Sequence, residues 1–208
     1  GRFRIPAEAT ARLAPGTYAL IPAGEGLAAY PFVFSLSPAE PDSPLQRILY
    51  HEFGHGVNHS LNRISGWAFD ILGPDHSPQG VDEAMADYWA ASFIGRPVIG
   101  EYAGMGTPGE LGIRDVSQFA ACPDDIYGEG HYDSPMLSST LWDIRTDIGQ
   151  EKADRLGLAL LSSTSREVDF DEAGRALISQ ASALESSGVL TSVDVTAVED
   201  AVDAHTLV

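Results

Sequence analysis

Ser43-Pro44-Leu45-Gln46-Arg47-Ile48-Leu49-Tyr50-His51-Glu52-Phe53-Gly54-His55-Gly56-Val57-Asn58-His59-Ser60-Leu61 is the stretch that decides the fold. Ser43 can cap a helix, and Pro44 suits the first helical position, where the N–H it lacks would go unpaired. Gln46 stands three residues after the cap, as a capping box requires. Leu45, Ile48, Leu49, Phe53 and Val57 then recur at helical spacing and predict a helix to about Leu61. His51 and His55, at i and i+4, share one face of that helix, so both imidazoles can reach one metal ion. Glu52 is turned about 100° off that face, close enough to meet a water on the ion without binding the ion itself. In a chain with six histidines and thirteen glutamates, this pattern arises by chance in roughly one chain in a hundred.

A catalytic metal needs a third protein ligand and an open fourth position. Leu61 occupies the place six residues beyond His55 where some metal sites carry a third histidine. His59 follows His55 along the same helix, and three collinear histidines do not surround one tetrahedral ion; it reads as a surface or capping residue. The segment Glu83-Ala84-Met85-Ala86-Asp87 begins 28 positions after His55 and fits better. Glu83 and Asp87 are again i and i+4 on a helix predicted over roughly Val81–Phe93. Met85, Tyr88 and Trp89 make that helix largely apolar, and buried carboxylates need partners. Glu83 is therefore the expected third ligand. Asp87 is expected to accept the free N–H of a ligating histidine and fix its tautomer.

These blocks resemble the glutamate-zincin metallopeptidases of thermolysin type, most closely the fungalysin-like family. A third block adds to the resemblance: Tyr127-Gly128-Glu129-Gly130-His131-Tyr132-Asp133-Ser134-Pro135, running on through Leu141-Trp142-Asp143 to Ile144. It is similar to the family segment in which a histidine just precedes a helix and stabilises the transition state. The chain departs from the family at Pro135, where a glycine is common, and the upstream run Ala29–Leu36 carries no family motif. The chain is also short at its front.

The resemblance implies a zinc endopeptidase acting on a protein or peptide substrate. Zinc would be held by His51, His55 and Glu83, with Glu52 as general base and His131 as the oxyanion donor. Asp87 would orient His51. Tyr127 and Tyr132 are candidates for the tyrosine that assists the histidine, Tyr132 also for substrate binding. Ile48, one turn before His51, is expected to line the cleft. Asp124, Asp125, Glu129 and Asp133 cluster around His131 in sequence. One of Asp124, Asp125 and Asp133 is expected to orient its ring, and the remaining carboxylates are candidates for Ca2+, as in relatives. Family members are secreted, which makes an extracellular location the expectation. The alternative is a zinc-stabilised binding or adhesion module without turnover, against which Glu52 argues. An aminopeptidase is disfavoured because no exopeptidase motif is present.

Composition bounds the rest. The 208 residues carry 44% hydrophobic and 20% charged side chains, enough for a sizeable core. Thirty acidic side chains against twelve basic ones give a net charge of −18, which repels phosphate backbones and disfavours nucleic-acid and anionic-membrane partners. No apolar run approaches the roughly 18–20 residues of a membrane span. Cys122 is the single cysteine, so no intrachain disulfide forms, and it reads as a small buried residue. The start at Gly1 fits a removed leader or propeptide, or an excised domain. His76 and His205 have no visible partners and read as surface residues.

Working outward, residues 1–43 are rich in proline and glycine, with strand-like runs at Thr17–Ile21 and Ala29–Leu36. Residues 94–130 read as an irregular, glycine-rich connection. Ser134-Pro135 repeats the cap-then-proline start and opens a helix to about Ile148. Amphipathic stretches follow near Glu151–Leu161, Phe170–Ala183 and Val193–His205. The fold class expected is α+β, mainly α, as one catalytic domain over 1–208. Within it, a strand-containing segment over residues 1–62 ends in the active-site helix, and a helical segment over residues 63–208 follows.

Overall fold

A computed structural model describes residues 16–20, 32–36, 44–71, 73–99 and 114–208, of which 16–20, 32–36, 44–49 and 70 are described by their backbone. The protein is mainly helical with a few short strands, consistent with the expected class. It divides into two units, Gly1–Ser43 and Pro44–Val208. In the first, β1 (Gly16–Leu20) and β2 (Phe32–Leu36) pair antiparallel, Gly16 opposite Leu36 and Leu20 opposite Phe32. The boundary differs from the expected division. Helix α1 (Pro44–Leu61) belongs to the second unit because it packs along another helix there. The cap proposed at Ser43 lies outside the described residues.

After α1, β3 (Ala68–Asp70) and β4 (Gly73–Asp75) form a small antiparallel pair. Helix α2 (Ser77–Ile94) begins a turn earlier than expected. Pro78, which from sequence reads as loop, sits in the first turn, where its missing N–H costs nothing. Asp75 braces that start by accepting bonds from the Ser77 backbone N–H (2.9 Å) and hydroxyl (2.7 Å). In the connection that follows, β5 (Val98–Ile99) pairs with β6 (Arg114–Asp115).

The last third is helical: α3 (Gly130–Asp133), α4 (Pro135–Ile148), α5 (Gln150–Ser163), α6 (Phe170–Ser186) and α7 (Ser192–Ala204). Ser134 does not cap α4 with its side chain, contrary to the reading from sequence. It is itself helical (φ −55°, ψ −32°), and its hydroxyl donates to the His131 carbonyl instead. Asp169 caps α6, and Thr191 with Asp194 forms a reciprocal capping box on α7.

Helix α2 is the centre of the unit, in contact with α1, α3, α4, α5 and α6. That explains its apolar sequence: Val81, Ala84, Met85, Ala86, Tyr88, Ala90 and Ala91 are all buried. Met85 and Tyr88 join Met136, Leu137, Leu141, Ile144, Leu156, Leu160 and Leu177 in one core. Each such side chain contributes about 1.5–3 kcal/mol on burial. Helices α1 and α2 meet through small residues. A Cβ on Gly54 would lie 2.7 Å from the Cα of Ala86, so only glycine lets the two backbones come this close.

Candidate metal centre

The close approach of α1 and α2 brings three expected ligands together. His51, His55 and Glu83 offer atoms that all lie within 4.8 Å of one another. The two Nε2 atoms are 3.1 Å apart. His51 Nε2 is 3.3 Å from Glu83 Oε2, and His55 Nε2 is 3.6 Å from Glu83 Oε1. An ion with bonds of about 2.0–2.1 Å in tetrahedral array would hold its donors about 3.3 Å apart. Three electron pairs converging at that spacing repel one another unless a cation or a proton sits among them, so the residues present fit a metal ion.

Each histidine is held from behind. His51 Nδ1 lies 2.7 Å from Asp87 Oδ1, the carboxylate expected to accept its N–H. The carboxylate sits off the ring N–H axis, so the contact is a close ion pair rather than a well-aligned hydrogen bond. His55 Nδ1 lies 2.8 Å from Asp82 Oδ2. With both Nδ1 atoms facing carboxylates, the Nε2 lone pairs are turned towards the common point.

The electrostatics follow from this crowding. Burial alone lowers the His51 pKa, but Asp87 and Glu83 outweigh it and raise it to about 9. His55 is likewise raised, burial being outweighed by Asp82. Burial raises Glu83 and Asp87, yet both fall below the usual carboxylate range, Glu83 through the two histidines and Asp87 through His51 and Arg114. Without a metal, the surrounding carboxylates favour the protonated form of both rings.

Arg114, on β6, is absent from the sequence-derived site. Its Nη2 is 2.9 Å from Asp87 Oδ1 and 3.5 Å from Glu83 Oε2, and its Nε also donates to Asp87. The signal that points to it is charge balance: Asp87 is fully buried, and a buried carboxylate in contact with one imidazole calls for a further cation. Asp82 is absent for a similar reason, since nothing in its spacing marks it as a partner of His55.

His131 reaches the same carboxylate from α3. Its Nε2 is 3.2 Å from Glu83 Oε1, and its ring is half exposed. The residue that orients it is Glu129, not Asp124, Asp125 or Asp133. Glu129 caps α3 through the His131 and Tyr132 N–H groups, and its Oε1 lies 2.6 Å from His131 Nδ1. Asp133 is unavailable because it accepts from the Tyr127 and Gly128 N–H groups, and Asp125 accepts from Ala121 N–H. Among the described residues only His51, His55 and Glu83 converge as a metal group.

Glu52 is exposed on α1 beside His51 and is not one of the converging ligands. His59 and His76 are exposed, as expected. Tyr132 and Tyr127 are 70% and 73% exposed, their rings 6.1 Å apart beside His131. The expectation for Ile48 concerns a side chain outside the described residues. His205 is not a surface residue: it is fully buried, with Nδ1 2.6 Å from the Ala120 carbonyl and Nε2 3.0 Å from Asp143 Oδ2.

The chain matches no protein-family model, and no curated protein matches it significantly. No helix among the described residues is long and apolar enough to cross a membrane.

Proposed function

We propose that this protein is a zinc-dependent endopeptidase. The observation that carries the reading is the convergence of His51, His55 and Glu83 at near-tetrahedral spacing, with Glu52 exposed on the same helix and His131 touching the same glutamate. Two imidazoles and a carboxylate are a donor set that catalytic zinc takes, with the fourth position left for water.

Held by His51, His55 and Glu83, zinc would supply a water of lowered pKa, about 7, and a Lewis acid for the scissile carbonyl. The remaining steps belong to the chain. Glu52 takes the water's proton as the new C–O bond forms, then passes it to the amine that leaves when the C–N bond breaks. His131 donates from Nε2 to the oxygen that gains charge. Glu129 on Nδ1 holds the ring in place for that donation. Asp87 and Asp82 keep His51 and His55 turned towards the common point.

An extracellular peptide or unfolded protein is the substrate class this reading favours. The test is zinc content by elemental analysis, paired with hydrolysis of casein before and after a chelator. One zinc per chain and chelator-sensitive cleavage are expected; a metal-free, inactive protein after zinc addition would remove the proposal.

A further inference from the structure

We propose that Asn58, braced by Trp89, is a positioning residue for the metal centre, locking Asp82 and through it the ring of His55. The inference rests on the reading of His51, His55 and Glu83 as a metal site, and not on the reaction carried out there.

Asn58 is fully buried on α1, three residues after His55 and so on the neighbouring part of the same face. Asparagine is a weak helix former in a helix interior, and burial of its amide requires partners. It has them on every side. Its Nδ2 donates to Asp82 Oδ1 at 2.7 Å and to the Asp82 carbonyl at 2.9 Å. Its Oδ1 accepts from Trp89 Nε1 at 3.0 Å. An indole N–H can only donate, so it fixes which end of the amide faces it. The NH2 group must then face Asp82. One oxygen of Asp82 is thereby held, which leaves the other on His55 Nδ1 at 2.8 Å.

Trp89 is itself confined. A Cβ on Gly157 of α5 would lie 2.9 Å from Trp89 Cη2, so the ring fills the space that glycine leaves. The chain of contacts therefore runs from the core helix α5 through Trp89, Asn58 and Asp82 to a metal ligand. His51 has a separate support in Asp87 and Arg114, so the two histidines are braced independently.

A merely structural Asn58, stitching α1 to α2, would affect stability without acting through Asp82. A double-mutant cycle separates the two. Zinc affinity is measured by competition with a chromophoric chelator for the wild type, Asn58→Ala, Asp82→Ala and the double variant. Asn58→Ala should weaken zinc binding by about 10–100-fold, and Trp89→Phe, which removes one hydrogen bond, by about 2–10-fold. In the Asp82→Ala background, Asn58→Ala should change affinity by less than about twofold. Equal losses in both backgrounds, or no loss at all, overturn the inference. Should Asn58→Ala fail to fold, Trp89→Phe carries the same cycle with the same criteria. A wild type that takes up no zinc overturns the metal site, and this inference with it. Zinc bound without peptide hydrolysis overturns only the proposed reaction and leaves the cycle decisive.

Discussion

Gly54 of α1 and Ala86 of α2 touch backbone to backbone, and that contact sets the spacing of the candidate metal centre. His51 and His55 flank Gly54 on one helix, and Glu83 and Asp87 flank Ala86 on the other. Gly54→Ala should push the helices apart, destabilise the protein by about 1–3 kcal/mol and weaken zinc binding. Thermal unfolding and chelator competition check this. Unchanged zinc affinity in the Gly54→Ala variant would mean that the helix spacing does not control the site.

His131 and Glu129 form a pair whose loss should be felt in turnover and not in metal content. His131→Ala should lower kcat by roughly 10²–10³. Glu129→Gln should give a smaller loss, because the ring keeps its place but loses the carboxylate on Nδ1. Steady-state kinetics with zinc analysis decides it, and loss of zinc from His131→Ala would contradict the assigned role.

The pH dependence of the metal-free protein has a definite sign. His51 stands at about 9 in the fold against an ordinary 6.5. Its stabilising contribution is therefore fully present below about 6.5 and lost as pH rises through about 9. Zinc must displace the same proton, so zinc affinity should rise over that interval. Denaturant titrations of the chelated protein from about pH 6 to about 9.5 should show falling stability, and a rise would contradict the coupling. The carboxylate of Asp194, lowered to about 2 chiefly by Lys152, titrates far outside this range.

His205 clamps the end of α7 to the Ala120 carbonyl and to Asp143 of α4. His205→Ala should cost about 2–4 kcal/mol by leaving buried polar groups unpaired, with zinc affinity unchanged. A cost below about 0.5 kcal/mol would mean that water replaces the ring.

Local rules govern what is legible in the sequence. The span of α1 follows from helical spacing after Pro44, and the ligand set follows from i, i+4 pairs on two helices. The rest depends on how helices pack. Arg114 comes from a distant strand, and the Asp82, Asn58 and Trp89 contacts exist only once α1 lies on α2. Gly54 reads as an ordinary helix-weakening glycine until Ala86 is seen against it. Pro78 reads as loop because a proline that starts a helix and one that precedes it look alike in sequence. His205 reads as exposed because its partners, Ala120 and Asp143, lie 85 and 62 positions away.

Metal-dependent peptide hydrolysis with Glu52 as the base is the activity proposed for this site. Its most direct test is the rate of casein cleavage by zinc-loaded wild type and Glu52→Gln, with the zinc content of each sample measured alongside. Equal zinc is expected in both, with cleavage by the wild type that a chelator stops and zinc restores, and none by Glu52→Gln, whose amide cannot accept the proton. Equal cleavage by the two proteins, or wild-type zinc without any cleavage, would contradict it.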